Sequence, residues 1–268
     1  MIYSKWNEAD IDASLDLRTT VPDLQQRVAR FQQLSKSLAA RRSFSRIDYG
    51  PSPDEYYLES NSELSTIDEI TTVFIHGGYW RAYTADDFLF VGEPWLRNGG
   101  KFISINYALC PQVTLSTMAH QVACALSVIT GRGSGIRIRL VGHSAGAHLA
   151  MLNCCPDWLR ESASRTNPVV EAVLISGLYD LEVVKRSFLQ ETIGMTGEDV
   201  TTLSPMRREP RKDVRYQILV GSNETPVYKL QSNELFAKIL EDGAGATYNE
   251  VADADHFSIL NSYDSNIS

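Results

Sequence analysis

The chain has 268 residues, 43% of them hydrophobic and 22% charged, so it can bury a sizeable core as a single large domain. Its 25 Lys and Arg against 33 Asp and Glu leave a formal charge of −8, which argues against a nucleic-acid partner, because phosphate binding needs clustered cations. The basic pairs Arg41-Arg42, Arg207-Arg208 and Arg211-Lys212 are short and mixed with acids, and read as solvated surface. No run reaches the roughly 18 apolar residues that span a bilayer, so no membrane partner is expected. The segment from Met1 to Glu8 lacks the apolar centre of a signal peptide, and a cytoplasmic location is expected. A homodimer is left open.

Cys110, Cys124, Cys154 and Cys155 show no C-x-x-C spacing and are expected as reduced, mostly buried thiols. The five histidines show no ligand pattern: His143 and His148 are five positions apart and do not share a helical face. Neither a metal nor a cofactor is expected.

In chain order, an N-terminal helical segment occupies about residues 1–42. Within it, Leu24, Val28, Phe31, Leu34 and Leu38 recur at steps of three and four, predicting an amphipathic helix over 22–40 with Pro22 in its first turn. Residues 49–58 predict an early, exposed strand. Residues 71–75 predict a buried strand that ends in His76-Gly77-Gly78-Tyr79-Trp80. A helix over 86–96 stops at Asn98-Gly99-Gly100, and a strand over 101–107 and a helix over 115–130 follow. Further strands are expected at 138–141, 169–176, 216–220 and 246–251, with a helix at 228–240. Residues 181–213 break this rhythm with short polar pieces and predict a lid-like excursion over the sheet edge. Strands alternating with helices imply a mostly parallel sheet covered on both faces, an α/β class. Nothing repeats, no linker interrupts the chain, and one domain over 1–268 is expected.

The apolar run Ile138-Arg139-Leu140-Val141 leads directly into Gly142-His143-Ser144-Ala145-Gly146 and a helix-compatible Ala147-His148-Leu149-Ala150. G-x-S-x-G alone is a weak pattern. Between a strand and a helix, however, it reads as the nucleophile elbow of an α/β-hydrolase fold, with Ser144 as nucleophile. Such a serine needs a base, an orienting acid and oxyanion donors, in chain order Ser, Asp/Glu, His. His256 is the one histidine beyond the elbow helix and follows the last predicted strand. Two acids fit by position: Glu224, after the 216–220 strand, and Asp180, after the preceding one. Pattern favours Glu224 and leaves Asp180 as its rival. Asp253 and Asp255 read as a solvated turn. The Gly77-Gly78 pair lets the backbone after residue 75 approach a substrate closely, and Ala145 N–H is the donor next to the nucleophile.

Several of these segments together resemble a known family. They are the H-G-G-x-W loop, the Gly142–Leu149 stretch, Tyr107-Ala108-Leu109-Cys110-Pro111, and Glu224-Thr225-Pro226 followed by Gln231-Ser232. They are similar to kynurenine formamidases (arylformamidases), in the hormone-sensitive-lipase-like branch of α/β-hydrolases. The resemblance implies Glu224 as the acid, where many members carry Asp, and Gly78, Tyr79 and Ala145 as oxyanion donors. It implies hydrolysis of N-formyl-kynurenine to kynurenine and formate, in tryptophan catabolism. A carboxylesterase for small acyl or aryl esters is the alternative. A small aromatic substrate suits Tyr79 and Trp80 as binding residues. Trp6, Tyr107, Trp158 and Phe257 are further wall candidates, with core packing preferred for the last two. Residues 3–7 and 181–213 are expected to fold over the opening.

Overall fold

The computed structural model describes residues 5–61, 70–132, 135–161 and 168–261; Tyr3 and Ser4 lie outside them. Eight strands form one sheet: β1 (Phe44–Asp48), β2 (Tyr56–Ser60), β3 (Ile70–Ile75), β4 (Phe102–Ile105), β5 (Arg137–His143), β6 (Val169–Ile175), β7 (Arg215–Gly221) and β8 (Gly245–Val251). Their spatial order is β1-β2-β4-β3-β5-β6-β7-β8. The β1–β2 and β2–β4 pairs are antiparallel and the rest parallel. Strands β3, β5 and β6 are buried along almost their whole length, as mostly apolar strands are when helices cover both faces.

The helices are α1 (Glu8–Leu15), α2 (Leu24–Arg41), α3 (Glu93–Arg97), α4 (Leu115–Gly131), α5 (Ala145–Leu152), α6 (Pro156–Glu161), α7 (Glu182–Lys185), α8 (Gln190–Ile193), α9 (Gly197–Leu203) and α10 (Pro226–Glu241). No helix among the described residues is long and apolar enough to cross a membrane.

Four expectations change. Residues 49–58 hold the β1–β2 connection and the start of β2, which is buried rather than exposed and lies between β1 and β4. Residues 86–96 do not form one helix. A 3-10 segment over Ala85–Gly92 breaks at Phe88 (φ −121°, ψ 16°), and Pro94 then opens α3, where a proline cannot continue a preceding helix. On α2, Phe31 and Leu38 face the core while Leu34 is exposed. Phe31 stacks on Phe90 at 4.6 Å, and Ser35 Oγ donates to the Asp87 carbonyl, so α2 is docked by the 3-10 segment. Finally, the 181–213 excursion carries its own buried side chains, Val184, Leu189 and Leu203 among them, and lies against the core.

Candidate active site

The elbow is enforced by backbone proximity. Ser144 has φ 55° and ψ −121°, a strained conformation between β5 and α5. A Cβ on Gly142 would stand 2.3 Å from the Gly146 carbonyl oxygen, and one on Gly146 would stand 2.0 Å from that of Ile75. Only glycine fits either place, so these two positions lock strand and helix together at the serine.

The loop after β8 brings His256 to the same end of the sheet, buried at 2% exposure. Its Nδ1 hydrogen-bonds Glu224 Oε2 at 2.9 Å, and the glutamate side chain is fully buried. Asp180 does not reach the imidazole. Its carboxylate accepts from Glu182 N–H at 3.0 Å and faces Arg207 at 3.4 Å. Ser144 Oγ makes no hydrogen bond to His256 here; it faces the Tyr228 hydroxyl instead.

Gly78 (φ 119°) and Tyr79 (φ 50°) turn the loop after β3 back toward Ser144. A Cβ on Gly78 would strike the Ala82 carbonyl oxygen at 2.2 Å. The N–H of Ala145 opens α5, where a helix leaves its first donors without internal acceptors. His76 braces this loop: its Nδ1–H donates to the Gly77 carbonyl at 2.8 Å, and its ring stacks on Tyr107 at 4.3 Å. Burial pushes its pKa down to about 4, so it is neutral.

Comparison with known proteins joins this geometry to a lineage. The α/β-hydrolase fold family matches residues 72–256. A kynurenine formamidase of Danio rerio is 30% identical over 80% of this chain and 74% of its own length. One from Salmo salar is 26% identical over 96% and 87% respectively. This chain is an α/β-hydrolase of the kynurenine formamidase family. Among solved structures, one described as a putative thioesterase from a Silicibacter species superposes with a TM-score of 0.82 at 23% identity, covering 94% of this chain and 93% of that one. Esterase B from Lactobacillus rhamnosis gives 0.69 at 17% identity, over 96% and 93%. At those identities they show a shared fold.

In this hydrolase a cavity of about 410 Å³ opens over Ser144 and His256. Tyr79, Tyr83, Phe88, Phe188 and Phe257 give it aromatic walls, while Leu15, Asp16, Leu17 and Arg18 close one side. Phe257, expected in the core, is buried there and also lines the cavity. Trp80, expected at the substrate, does not. It is fully buried and meets His148 edge-on at 5.3 Å, because the loop turns its side chain under α5. Tyr107 and Trp158 are buried away from the cavity, the latter beside His120 at 4.8 Å. Asp255 is not a solvated turn residue: Arg27 on α2 holds its carboxylate at 2.7 Å, and the N–H groups of Phe257 and Ser258 donate to it. Among the described residues no group of three or more His, Cys, Asp or Glu side chains is arranged to hold a metal ion.

Three groups escaped the sequence reading. His143, the variable position of the elbow, donates from Nε2 to the His256 carbonyl at 2.8 Å and positions the histidine loop. Burial first, then the nearby His256, holds its pKa well below the usual value. Tyr228 on α10 packs its ring 4.4 Å from His256 and bonds the Tyr79 hydroxyl at 2.5 Å. Burial raises the pKa of both phenols, so both stay protonated. The α1 end supplies the Leu15 carbonyl, which accepts from Tyr79 at 2.7 Å. Only the position of Tyr228, two residues beyond Pro226, was a signal available beforehand.

Proposed function

We propose that this hydrolase cleaves an aryl formamide, N-formyl-L-kynurenine, to L-kynurenine and formate, in the cytoplasm. The observation that carries the reading is the 30% identity to the Danio rerio kynurenine formamidase across 74% of that protein. The aromatic cavity above Ser144 supports it, since a flat formanilide needs such walls.

Ser144 Oγ attacks the formyl carbon as its proton passes to His256 Nε2, and Glu224 stabilises the imidazolium that forms. The N–H groups of Gly78, Tyr79 and Ala145 take the developing oxyanion. Collapse breaks the C–N bond; His256 returns the proton to the aniline nitrogen, and the amine leaves. Water, deprotonated by His256, then attacks the formyl-serine and releases formate. Glutamate is one methylene longer than the aspartate common at this position, and here it reaches Nδ1 at 2.9 Å. Formate release from N-formyl-L-kynurenine by the purified enzyme tests the reading, and no release above the uncatalysed rate would refute it.

A further inference from the structure

The cavity is apolar along most of its wall and charged at one rim. Asp16 and Arg18 follow α1 and line the same cavity as Ser144. Asp16 Oδ1 accepts from Arg18 Nε and Oδ2 from Arg18 Nη2, each at 2.7 Å, and Oδ1 also takes the Arg18 backbone N–H at 3.1 Å. These bonds use one edge of the guanidinium. The other edge, carrying Nη1 and the second Nη2 proton, remains open, and the side chain is 79% exposed. Asp16 thus fixes the plane of a fork that still has a carboxylate-sized face to offer. Burial is slight at both groups and their mutual hydrogen bond dominates, lowering the acid and raising the base, so both are charged at neutral pH. The segment is not a loose arm. Leu15 O accepts from Tyr79, Ser14 O from Thr225 Oγ1, and Ser14 Oγ from Val227 N–H, so the charged rim is tied to the oxyanion loop and to α10.

We infer that Arg18, held by Asp16, binds the α-carboxylate of an amino-acid substituent on the leaving group, making this rim the element that selects a kynurenine-type substrate over a plain aryl formamide. The inference rests on the formamidase reading for its substrate. The residues that line the cavity grade in exposure, from buried Ser144 and Phe257 through half-exposed Phe188 to exposed Arg18. A formyl group, an aryl ring and an amino-acid tail follow the same order. The remaining acceptor capacity of Asp16 suits the ammonium of that tail.

The test is calorimetric binding of L-kynurenine and of 2-aminoacetophenone, which shares the aryl ketone and lacks the amino acid. Both are titrated into the wild type, Arg18→Gln and Arg18→Lys. Arg18→Gln is expected to weaken L-kynurenine at least about tenfold, as loss of a charge-assisted bond does, with the neutral ketone shifted less than twofold. Arg18→Lys is expected to recover part of the loss. An unchanged Kd for L-kynurenine would overturn the assignment, and so would equal losses for both ligands. Binding is read without turnover. A failure of formamide hydrolysis with the Arg18 effect intact would therefore refute the substrate reading alone, and the converse result would refute the subsite alone.

Discussion

In the proposed mechanism Ser144 becomes a nucleophile only through its neighbours, and the order of their effects follows from their contacts. Ser144→Ala is expected to remove nearly all turnover. His256→Ala should be comparably damaging, and the double variant no worse than either, since the two act as one unit. Steady-state rates within about tenfold of wild type for either single variant would contradict this. Glu224→Gln keeps the shape but loses the charge that pairs with the imidazolium, and should lower kcat by about three to four decades. Asp180→Asn should act far less on kcat, because that carboxylate is engaged with Glu182 N–H and Arg207. Reversal of those two effects would place the acid on the preceding strand.

At the scale of elements, one buried side chain ties α10 to the loop after β6. Gln231 Oε1 accepts from the N–H groups of Tyr179 and Asp180, at 2.5 and 2.8 Å, while its Nε2 donates to the Asp180 carbonyl. Gln231→Leu, similar in size, strands those backbone groups and is expected to cost about 1–3 kcal/mol of stability, measured by urea unfolding. No loss of stability would show the link to be dispensable. The same elements mark what the sequence could reveal. Strands β3, β5, β6 and β7 were legible because burial on both faces leaves mostly apolar runs, in which single polar residues such as Arg139, Glu171 and Gln217 pair with one another. The elbow was legible because its geometry admits only glycine at 142 and 146. Strand β1 was not, since Phe44-Ser45-Arg46-Ile47-Asp48 has a half-exposed pattern and becomes a strand through pairing with β2. Trp80 misled because a motif fixes the backbone turn but not the side of the loop on which a ring lands. His143, Tyr228 and the Leu15–Arg18 wall reach the site by tertiary packing, of which local pattern carries no trace beyond the place of Tyr228 just after Pro226.

Across the whole molecule, strand order delivers Ser144 and His256 from the carboxyl ends of β5 and β8 to one cavity, with Glu224 from the end of β7 buried behind the imidazole. The interior around it contains three neutral histidines. Burial lowers His76 and His148 to about 4 and His143 well below its ordinary 6.5. In the unfolded chain each would bind a proton near pH 6.5, so below that value the unfolded state holds more protons than the folded one. Stability should therefore be full above about pH 6.5 and fall as pH drops toward 4, by up to about 1.4 kcal/mol per pH unit for each histidine. Thermal melting across pH 4–8 measures this, and a Tm that does not fall between 6.5 and 4 would contradict the neutral assignments.

The reaction itself is decided by competition between substrate classes. A formyl group carries only hydrogen on its acyl carbon, whereas the kynurenine leaving group is broad and flat, so the aromatic cavity serves the leaving group. Parallel kcat/KM values for N-formyl-L-kynurenine and for p-nitrophenyl butyrate and hexanoate test the account most directly. A preference of about 10–200-fold for the formamide is predicted. Faster turnover of the butyrate or hexanoate ester would contradict it and assign the same triad to an esterase.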